Sequence, residues 1–336
     1  MSAMASVTVV IPVRNGADTL DECLDAVLSD GIDDLEVIVV DDRSTDGSKD
    51  IAERHGARVV GMEGRHGPAA CRNRGAREAT GDVVVFLDAD IRVRPGTITA
   101  LAERACGPDV GAVFSPYDPA TKYDSLVPAI VNLQNVFWFA GISEEAVALV
   151  SAAMAIHRDV LLATLFDEGI ERASVEDIEL GWALRGRGLH VVHAVDLPVD
   201  HMGRPTLLGY WTSRFHNSRL YVHGFIHQSA DRGRVFRPFD SLYMPVGVAC
   251  AVAVITTSIA ILTGVLPPMA SSLAIAALVI WNLPFLAYCL RHASVTVALA
   301  AFVQSMLFSF VQVFGLTVGV LQLLTGGSVP EHRQQV

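Results

Sequence analysis

Val83–Gly96 reads VVVFLDADIRVRPG, an apolar run that stops abruptly at Asp88-Ala89-Asp90. With Asp82 it forms a strand, Asp82–Leu87, that shows no polar alternation. A strand buried on both faces belongs to a parallel sheet covered by helices on each side. The same pattern recurs upstream. Residues 7–11 (VTVVI), 35–40 (LEVIVV) and the short Arg58–Val60 read as three further strands. Helical spacing separates them: Leu20, Cys23, Leu24, Val27 and Leu28 repeat over 17–29 with Asp18 as the expected N-cap, a helix starts in Ser44–Arg54, and another occupies 68–79. Strands alternating with helices at this pitch predict an α/β fold, a mostly parallel sheet with helices on both faces. The carboxyl edge of such a sheet is where ligands bind. Two carboxylates spaced i, i+2 at that edge can both reach a hard divalent cation, whose remaining oxygen ligands can be nucleotide phosphates.

Further along, 97–106 is predicted helical. Leu126–Ile142 is apolar and aromatic, and either packs in a core or lies at the membrane or lines the acceptor site. Residues 175–187 form a helix behind the acidic pair Glu176-Asp177.

Composition divides the chain. Its 336 residues are 51% hydrophobic and 18% charged, with mean hydropathy +0.40. Beyond residue 240 the charged residues are Arg291, Glu331 and Arg333, a balance of +1, so residues 1–240 carry −12 of the total −11. An acidic N-terminal part argues against nucleic acid as a partner, which needs a basic face. Three apolar stretches, 242–266, 269–290 and 294–324, are each long enough to cross a bilayer. The third is long enough to require tilt, a kink near Gly315, or partial exit. Arginines before the first stretch and Arg291 between the second and third are expected on the cytoplasmic side. Val7–Val10 is too short for a signal peptide, so the N-terminal part is expected in the cytoplasm. Residues 203–241 mix aromatic rings with Arg204, Arg214, Arg219, Arg232, Arg234 and Arg237, which suits an amphipathic interfacial segment. The expected division is therefore 1–202, 203–241, a membrane region 242–326, and a polar tail 327–336. Five scattered cysteines without CxxC spacing read as reduced.

Three longer stretches carry a resemblance: VTVVIPVRNGADTLDECLDAVL, LEVIVVDDRSTDGSKDIA and GPAACRNRGAREATGDVVVFLDAD. Together they resemble the family-2 glycosyltransferases of the GT-A fold, and SVEDIELGWALRGRG and the His201 segment resemble them more weakly. The resemblance implies an inverting, hexosyltransferase-type enzyme using a nucleotide-diphosphate sugar and a divalent metal, Mg or Mn. Pro12, Val13, Arg14 and Asn15 would line base and ribose. Asp41 and Asp42 would accept from the base, and Arg72 and Asn73 would contact the nucleotide. Asp88, Ala89 and Asp90 would face the diphosphate, with Asp88, Asp90 and His201 at the metal. Asp177 would deprotonate the acceptor hydroxyl, supported by Glu176. His201 is equally compatible with a role away from the metal.

Two features depart from the family. Ser151–Asp159 reads SAAMAIHRD without the asparagine common before the acidic pair. YWTSRFHNSRLYVHG lacks the glutamine–arginine–tryptophan motif of processive members, so transfer of one or a few sugars is expected. The acceptor is expected to be membrane-embedded or lipid-linked, polyprenyl phosphate being one alternative. A non-catalytic subunit that binds nucleotide-sugar is the competing class. No G-x-G-x-x-G follows the first strand and no Lys-Ser/Thr follows Gly61, Gly64 and Gly67, which disfavours dinucleotide and phosphate-loop chemistry. The apolar stretches hold no carboxylate or lysine, which disfavours a transporter.

Overall fold

The computed structural model describes residues 5–121, 123–146, 149–168, 176–232 and 243–325. The expected polar tail 327–336, and Arg234 and Arg237, lie outside the described residues.

The chain divides into two compact units, one comprising Met1–Thr121 with Ile142–Gly203 and the other Lys122–Gly141 with Arg204–Val329. In the first, the strands are β1 Val7–Val13, β2 Glu36–Asp41, β3 Arg58–Gly61, β4 Val83–Leu87, β5 Ile91–Arg92, β6 Val110–Phe114, β7 Ala153–His157, β8 His190–His193 and β9 Asp200–His201. Its helices are α1 Ala17–Leu28, α2 Ser48–Arg54, α3 Pro68–Glu78 and α4 Thr97–Ala105, followed after an excursion by α6 Arg158–Leu162 and α7 Glu176–Gly186. The excursion carries α5, Leu126–Ala140.

Seven strands form one sheet in the order β3-β2-β1-β4-β7-β6-β8. Neighbours are parallel except at β7, which runs antiparallel to β4 and β6. β4 is buried along its whole length, as its unbroken apolar run requires. β7 lies inside SAAMAIHRD; its AMAI residues are equally buried. β5 and β9 pair separately, Ile91 opposite His201 and Arg92 opposite Asp200.

The start of α1 differs from expectation. Its N-cap is Gly16, whose carbonyl accepts from Leu20 at 2.9 Å, and Asp18 lies in the first turn. The exposed amide of Ala17 donates instead to Asp46, 3.0 Å away on the loop after β2. A side chain from another loop has taken over the capping role that local sequence assigns to Asp18. That loop occupies the front of Ser44–Arg54, so α2 begins only at Ser48. Gly75 on α3 explains how closely that helix lies on the sheet: a Cβ there would meet Val10 at 2.2 Å.

The second unit gathers α5 with α8 Leu207–Arg232, α9 Tyr243–Leu262, α10 Met269–His292 and α11 Val295–Leu324. Ile130 and Leu133 of α5 share an apolar cluster with Phe285, Cys289, Ala298 and Ala301. Leu126–Ile142 is therefore largely a helix packed against apolar helices rather than part of the sheet's core. Among the described residues three helices have the length and composition to cross a membrane: 245–262 of α9, α10 and α11. α11 continues as one helix from 295 to 324. Its Gly315 serves close approach, since a Cβ would meet the Phe215 carbonyl at 2.6 Å. Within the bundle, Asn282 donates to the Leu278 carbonyl at 2.8 Å and accepts from Ser305 at 2.6 Å. This satisfies a buried amide where water is scarce.

Candidate active site

The turn after β4 is held from three sides. The Asp88 amide donates to the Ala152 carbonyl on the approach to β7 at 2.9 Å, the Ile91 amide closes the turn onto the Asp88 carbonyl at 3.0 Å, and the Met202 amide donates to the Asp90 carbonyl at 2.7 Å. Backbone bonds thus fix both aspartates. Gly16 sits behind them: a Cβ there would meet Val13 at 2.8 Å and Ala89 at 3.4 Å. The loop after β1 and the Asp88–Asp90 turn meet at that position.

Arg72 links the two acidic motifs. It projects from α3, is 2% exposed, and donates to Asp88 Oδ1 at 2.8 Å and to Glu176 Oε1 at 3.1 Å. Its guanidinium also lies 5.6 Å from the centre of the Phe166 ring. Sequence separates Arg72 from Glu176 by 104 residues. A buried carboxylate such as Glu176 is tolerable only when paired, and Arg72 supplies the pair. Burial raises the Asp88 carboxyl above its ordinary range, and the neighbouring Arg72 pulls it partly back.

Glu176 and Asp177 do not precede α7; they are its first residues. Asp177 Oδ2 accepts from the Ser151 amide at 3.1 Å and its hydroxyl at 3.3 Å, and Oδ1 accepts from the Ile178 amide at 2.8 Å. Burial, then the adjacent Glu176 charge, pushes the Asp177 carboxyl up to about 7. A carboxylate that titrates there suits general-base work near neutral pH.

His201 belongs to β9 and faces Asp90, its Nε2 3.4 Å from Oδ2. Tyr117 stacks on the imidazole, with ring centres 4.7 Å apart and planes 17° apart. Gly203 closes the back: a Cβ there would meet Asp90 Oδ2 at 2.5 Å and His201 Nε2 at 2.7 Å. Arg92 ties β5 to β9 through Asp200 at 2.8 Å, and Arg94 reaches Asp200 at 3.6 Å and pairs with Asp118. This clip holds His201 beside Asp90.

The other expected nucleotide residues form a loop scaffold. Asp41 accepts from the Ser44 amide at 3.0 Å. Asn15, in left-handed backbone at φ 51°, accepts from the Thr45 amide at 2.8 Å and donates its own amide to the Ser44 hydroxyl. Pro12 and Val13 end β1, Pro12 half-buried and Val13 buried, and Arg14 is exposed beyond them. Asp42 is buried and accepts from the His66 amide at 2.9 Å and the Gly67 amide at 3.1 Å, shaping the approach to α3. Asn73 accepts from the Phe166 amide and donates to the Phe166 carbonyl and Glu168. Asp42 and Asn73 therefore hold loops within the protein, while Asp41, Asn15 and Arg14 border the open end of β1 and β2.

Tyr117, Ser151, Phe166, Asp200 and Gly203 join the site without having been singled out from sequence. Gly203 had a local signal, lying two residues after His201. The others reach the site by sheet pairing and loop packing that no short motif encodes.

Among the described residues no group of three His, Cys, Asp or Glu side chains forms a cage for a metal ion. Asp88 and Asp90 are nevertheless hard oxygen donors at a partly open turn. A cation that completes its shell with substrate phosphates and water needs only one or two protein carboxylates, and this donor set fits that mode.

Residues 8–145 match the family model described as Glycosyl transferase family 2, and this part of the chain is a domain of that family. The Pre-mycofactocin glycosyltransferase of Mycobacterium tuberculosis (strain H37Rv) is 32% identical over 220 residues, covering 62% of this chain and 45% of that protein. The Cholesterol galactosyltransferase of Borreliella burgdorferi is 31% identical over 115 residues, 33% of this chain and 32% of its own. The chain spans less than half the length of these curated relatives. The solved Mannosyltransferase PcManGT from Pyrobaculum calidifontis, in complex with GDP-Man and Mn2+, aligns over 97% of this chain and 89% of that one, with TM-score 0.62 and 21% identity. That likeness extends through the apolar helices and shows a shared GT-A-like fold.

Proposed function

We propose that this chain is a membrane-anchored, metal-dependent, inverting glycosyltransferase. It would move a sugar from a nucleotide-diphosphate donor to a membrane-embedded or lipid-linked acceptor. The observation that carries the reading is the Arg72 bridge, which holds Asp88 and Glu176 in one site and sets Asp177 beside them.

The donor base and ribose are assigned to the rim formed by Pro12, Val13, Arg14, Asn15 and Asp41, with the diphosphate at Asp88, Ala89 and Asp90. Asp88 and Asp90 would hold the divalent cation, with His201 as the neighbour of Asp90. When bound, the cation neutralises charge developing on the leaving diphosphate. Arg72 holds the carboxylates of Asp88 and Glu176 in place through its two hydrogen bonds. Asp177 accepts the proton of the acceptor hydroxyl as that oxygen attacks the anomeric carbon, and the bond to the nucleotide diphosphate breaks on the opposite face. The Ser151 hydrogen bonds aim Asp177 and keep its carboxylate from rotating.

Residues 1–202, apart from the excursion Lys122–Gly141 that belongs to the helical unit, are assigned as the catalytic domain and 242–326 as the anchor, with the catalytic domain on the cytoplasmic face. Arginines before α9 and Arg291 in the last turn of α10 support that side through the charge rule for membrane loops. The Mycobacterium and Pyrobaculum relatives, named as a glycosyltransferase and as a mannosyltransferase bound to GDP-Man and Mn2+, support the reaction class.

The test is donor turnover by the purified full chain with Mg²⁺ or Mn²⁺, across a panel of nucleotide-sugars and membrane lipid extracts. Metal-dependent turnover that falls at least ~100-fold in Asp88→Ala is expected. Donor binding without hydrolysis or transfer across the panel overturns the catalytic reading in favour of a binding subunit.

A further inference from the structure

Arg72 is held at its nitrogens by carboxylates and on one face by a ring, and the ring is itself held. The guanidinium donates from Nη2 to Asp88 at 2.8 Å and from Nη1 to Glu176 at 3.1 Å. Among the described residues nothing accepts from its buried Nε. Bonds at the two terminal nitrogens leave the guanidinium plane free to rock. The Phe166 ring, centred 5.6 Å from the guanidinium carbon, closes that freedom from one face, at a distance where cation and ring attract.

Phe166 is 3% exposed and belongs to neither a helix nor a strand, so its position depends on side-chain contacts. Its ring meets Phe86 of β4 edge-on, with centres 5.7 Å apart and planes at 86°. Its backbone is gripped by Asn73 of α3. The Phe166 amide donates to Asn73 Oδ1 at 3.0 Å, and Asn73 Nδ2 donates back to the Phe166 carbonyl at 2.9 Å. Nδ2 also donates to Glu168 Oε1 at 2.8 Å, which Arg77 reaches at 3.3 Å. Asparagine brings an acceptor and a two-proton donor on one short side chain; aspartate lacks the donor and an apolar residue lacks both. A reversed amide would set N–H against N–H and oxygen against oxygen, so the network fixes its orientation. Arg72 and Asn73 are adjacent on α3, and adjacent helical side chains do not face each other. Their connection runs through Phe166.

We propose that Asn73 is a positioning residue for sugar transfer: its grip on the Phe166 backbone keeps the ring against Arg72, and so sets the angle at which Arg72 holds Asp88 and Glu176. The role in transfer rests on the transferase reading above; the grip itself does not.

The test uses the purified full chain with Asn73→Ala and Phe166→Leu, kcat and donor KM being measured separately. Asn73→Ala should lower kcat about 10- to 100-fold. Donor KM should stay within about twofold, as for an interaction that bears on the transition state rather than on binding. Phe166→Leu, which leaves the backbone grip in place but removes the ring, should give a similar loss, and it carries the test if Asn73→Ala does not fold. An unchanged kcat in either folded variant overturns the proposal. A donor KM that rises with kcat intact also overturns it and assigns Asn73 to the nucleotide instead.

Chemical denaturation gives a readout free of turnover. The midpoint loss of Arg72→Met/Asn73→Ala should fall short of the sum of the two single losses, and in a Phe166→Leu background the two losses should add. Additive losses with Phe166 in place overturn the link from Asn73 to Arg72. Absence of turnover in the unaltered chain beside coupled midpoints sinks the transferase reading and leaves the grip on Arg72 standing.

Discussion

The two units treat charge in opposite ways. In the sheet unit the arginines that matter are answered by carboxylates of the same unit: Arg72 by Asp88 and Glu176, Arg92 by Asp200, Arg94 by Asp118, Arg104 by Asp196. In the helical unit the described arginines have no such partners, and close packing comes from glycines and small polar residues. The first pattern ties the acidic residues of the site to arginines of the same unit. The contrast shows why burial alone does not identify function: Arg72 is more buried than Arg214, yet its charge is already paired.

The sharpest way to break the balanced unit is at its base and its bridge. Asp177→Asn should lower turnover on a hydroxyl acceptor ~10²- to 10⁴-fold with donor binding retained, read by initial rates and nucleotide titration. Unchanged turnover would remove Asp177 from the mechanism. The same group sets a pH dependence. Its folded carboxyl titrates near 7, well above its ordinary value of 3.8, so turnover should rise with pH through about 7 as the carboxylate forms. For stability the sign is reversed. The folded state holds this proton more tightly, so the contribution is present below about pH 4 and is lost as pH rises through 7. Melting curves of Asp177→Asn should lack that component.

Arg72→Met strands Glu176 in the interior and should cost about 3–5 kcal/mol, measured by chemical denaturation. Recovery in the double variant Arg72→Met/Glu176→Leu would show that pairing, rather than shape, is what Arg72 provides. Gly203→Ala probes the clip more gently. Its Cβ must displace Asp90 or His201, so Mn²⁺ dependence should weaken about 10- to 100-fold while the melting temperature changes little. An unchanged metal titration would separate His201 and its surroundings from the metal.

In the helical unit, Gly319→Leu should cost about 1–3 kcal/mol by overpacking against α8, seen as a lower melting temperature in detergent. Arg104→Ala should have the smallest effect. Its pair with Asp196 is at the surface, and such pairs contribute under about 1 kcal/mol. A larger loss there would show that the clip between β5 and β9 is not the only charged contact shaping this edge.

Much of this arrangement was legible in the chain. VVVFL had to be a doubly covered strand because no residue in it tolerates water, and Asp88 and Asp90 had to emerge at its carboxyl end. The apolar stretches after residue 240 are equally direct. β7 was harder to read. AMAI is short, and nothing within it states that it enters antiparallel between β4 and β6. Asp18 was expected to cap α1 because a local rule favours it, but Asp46 arrives from another loop and reaches Ala17 instead. Asn73 carried the family's pattern, yet its amide ties down Phe166 and Glu168.

The order of residues by itself determined which segments must be covered, where the paired aspartates emerge, and which helices are apolar enough for a bilayer. Those are consequences of local periodicity and of the cost of exposing apolar surface. Only the tertiary structure decided that Arg72 serves Asp88 and Glu176 together, that Ser151 aims Asp177, that Tyr117 stacks on His201, and that Gly203 backs onto Asp90. Each of these depends on groups tens of residues apart coming into direct contact. That contact is set by sheet order and helix packing, and no stretch of sequence contains it.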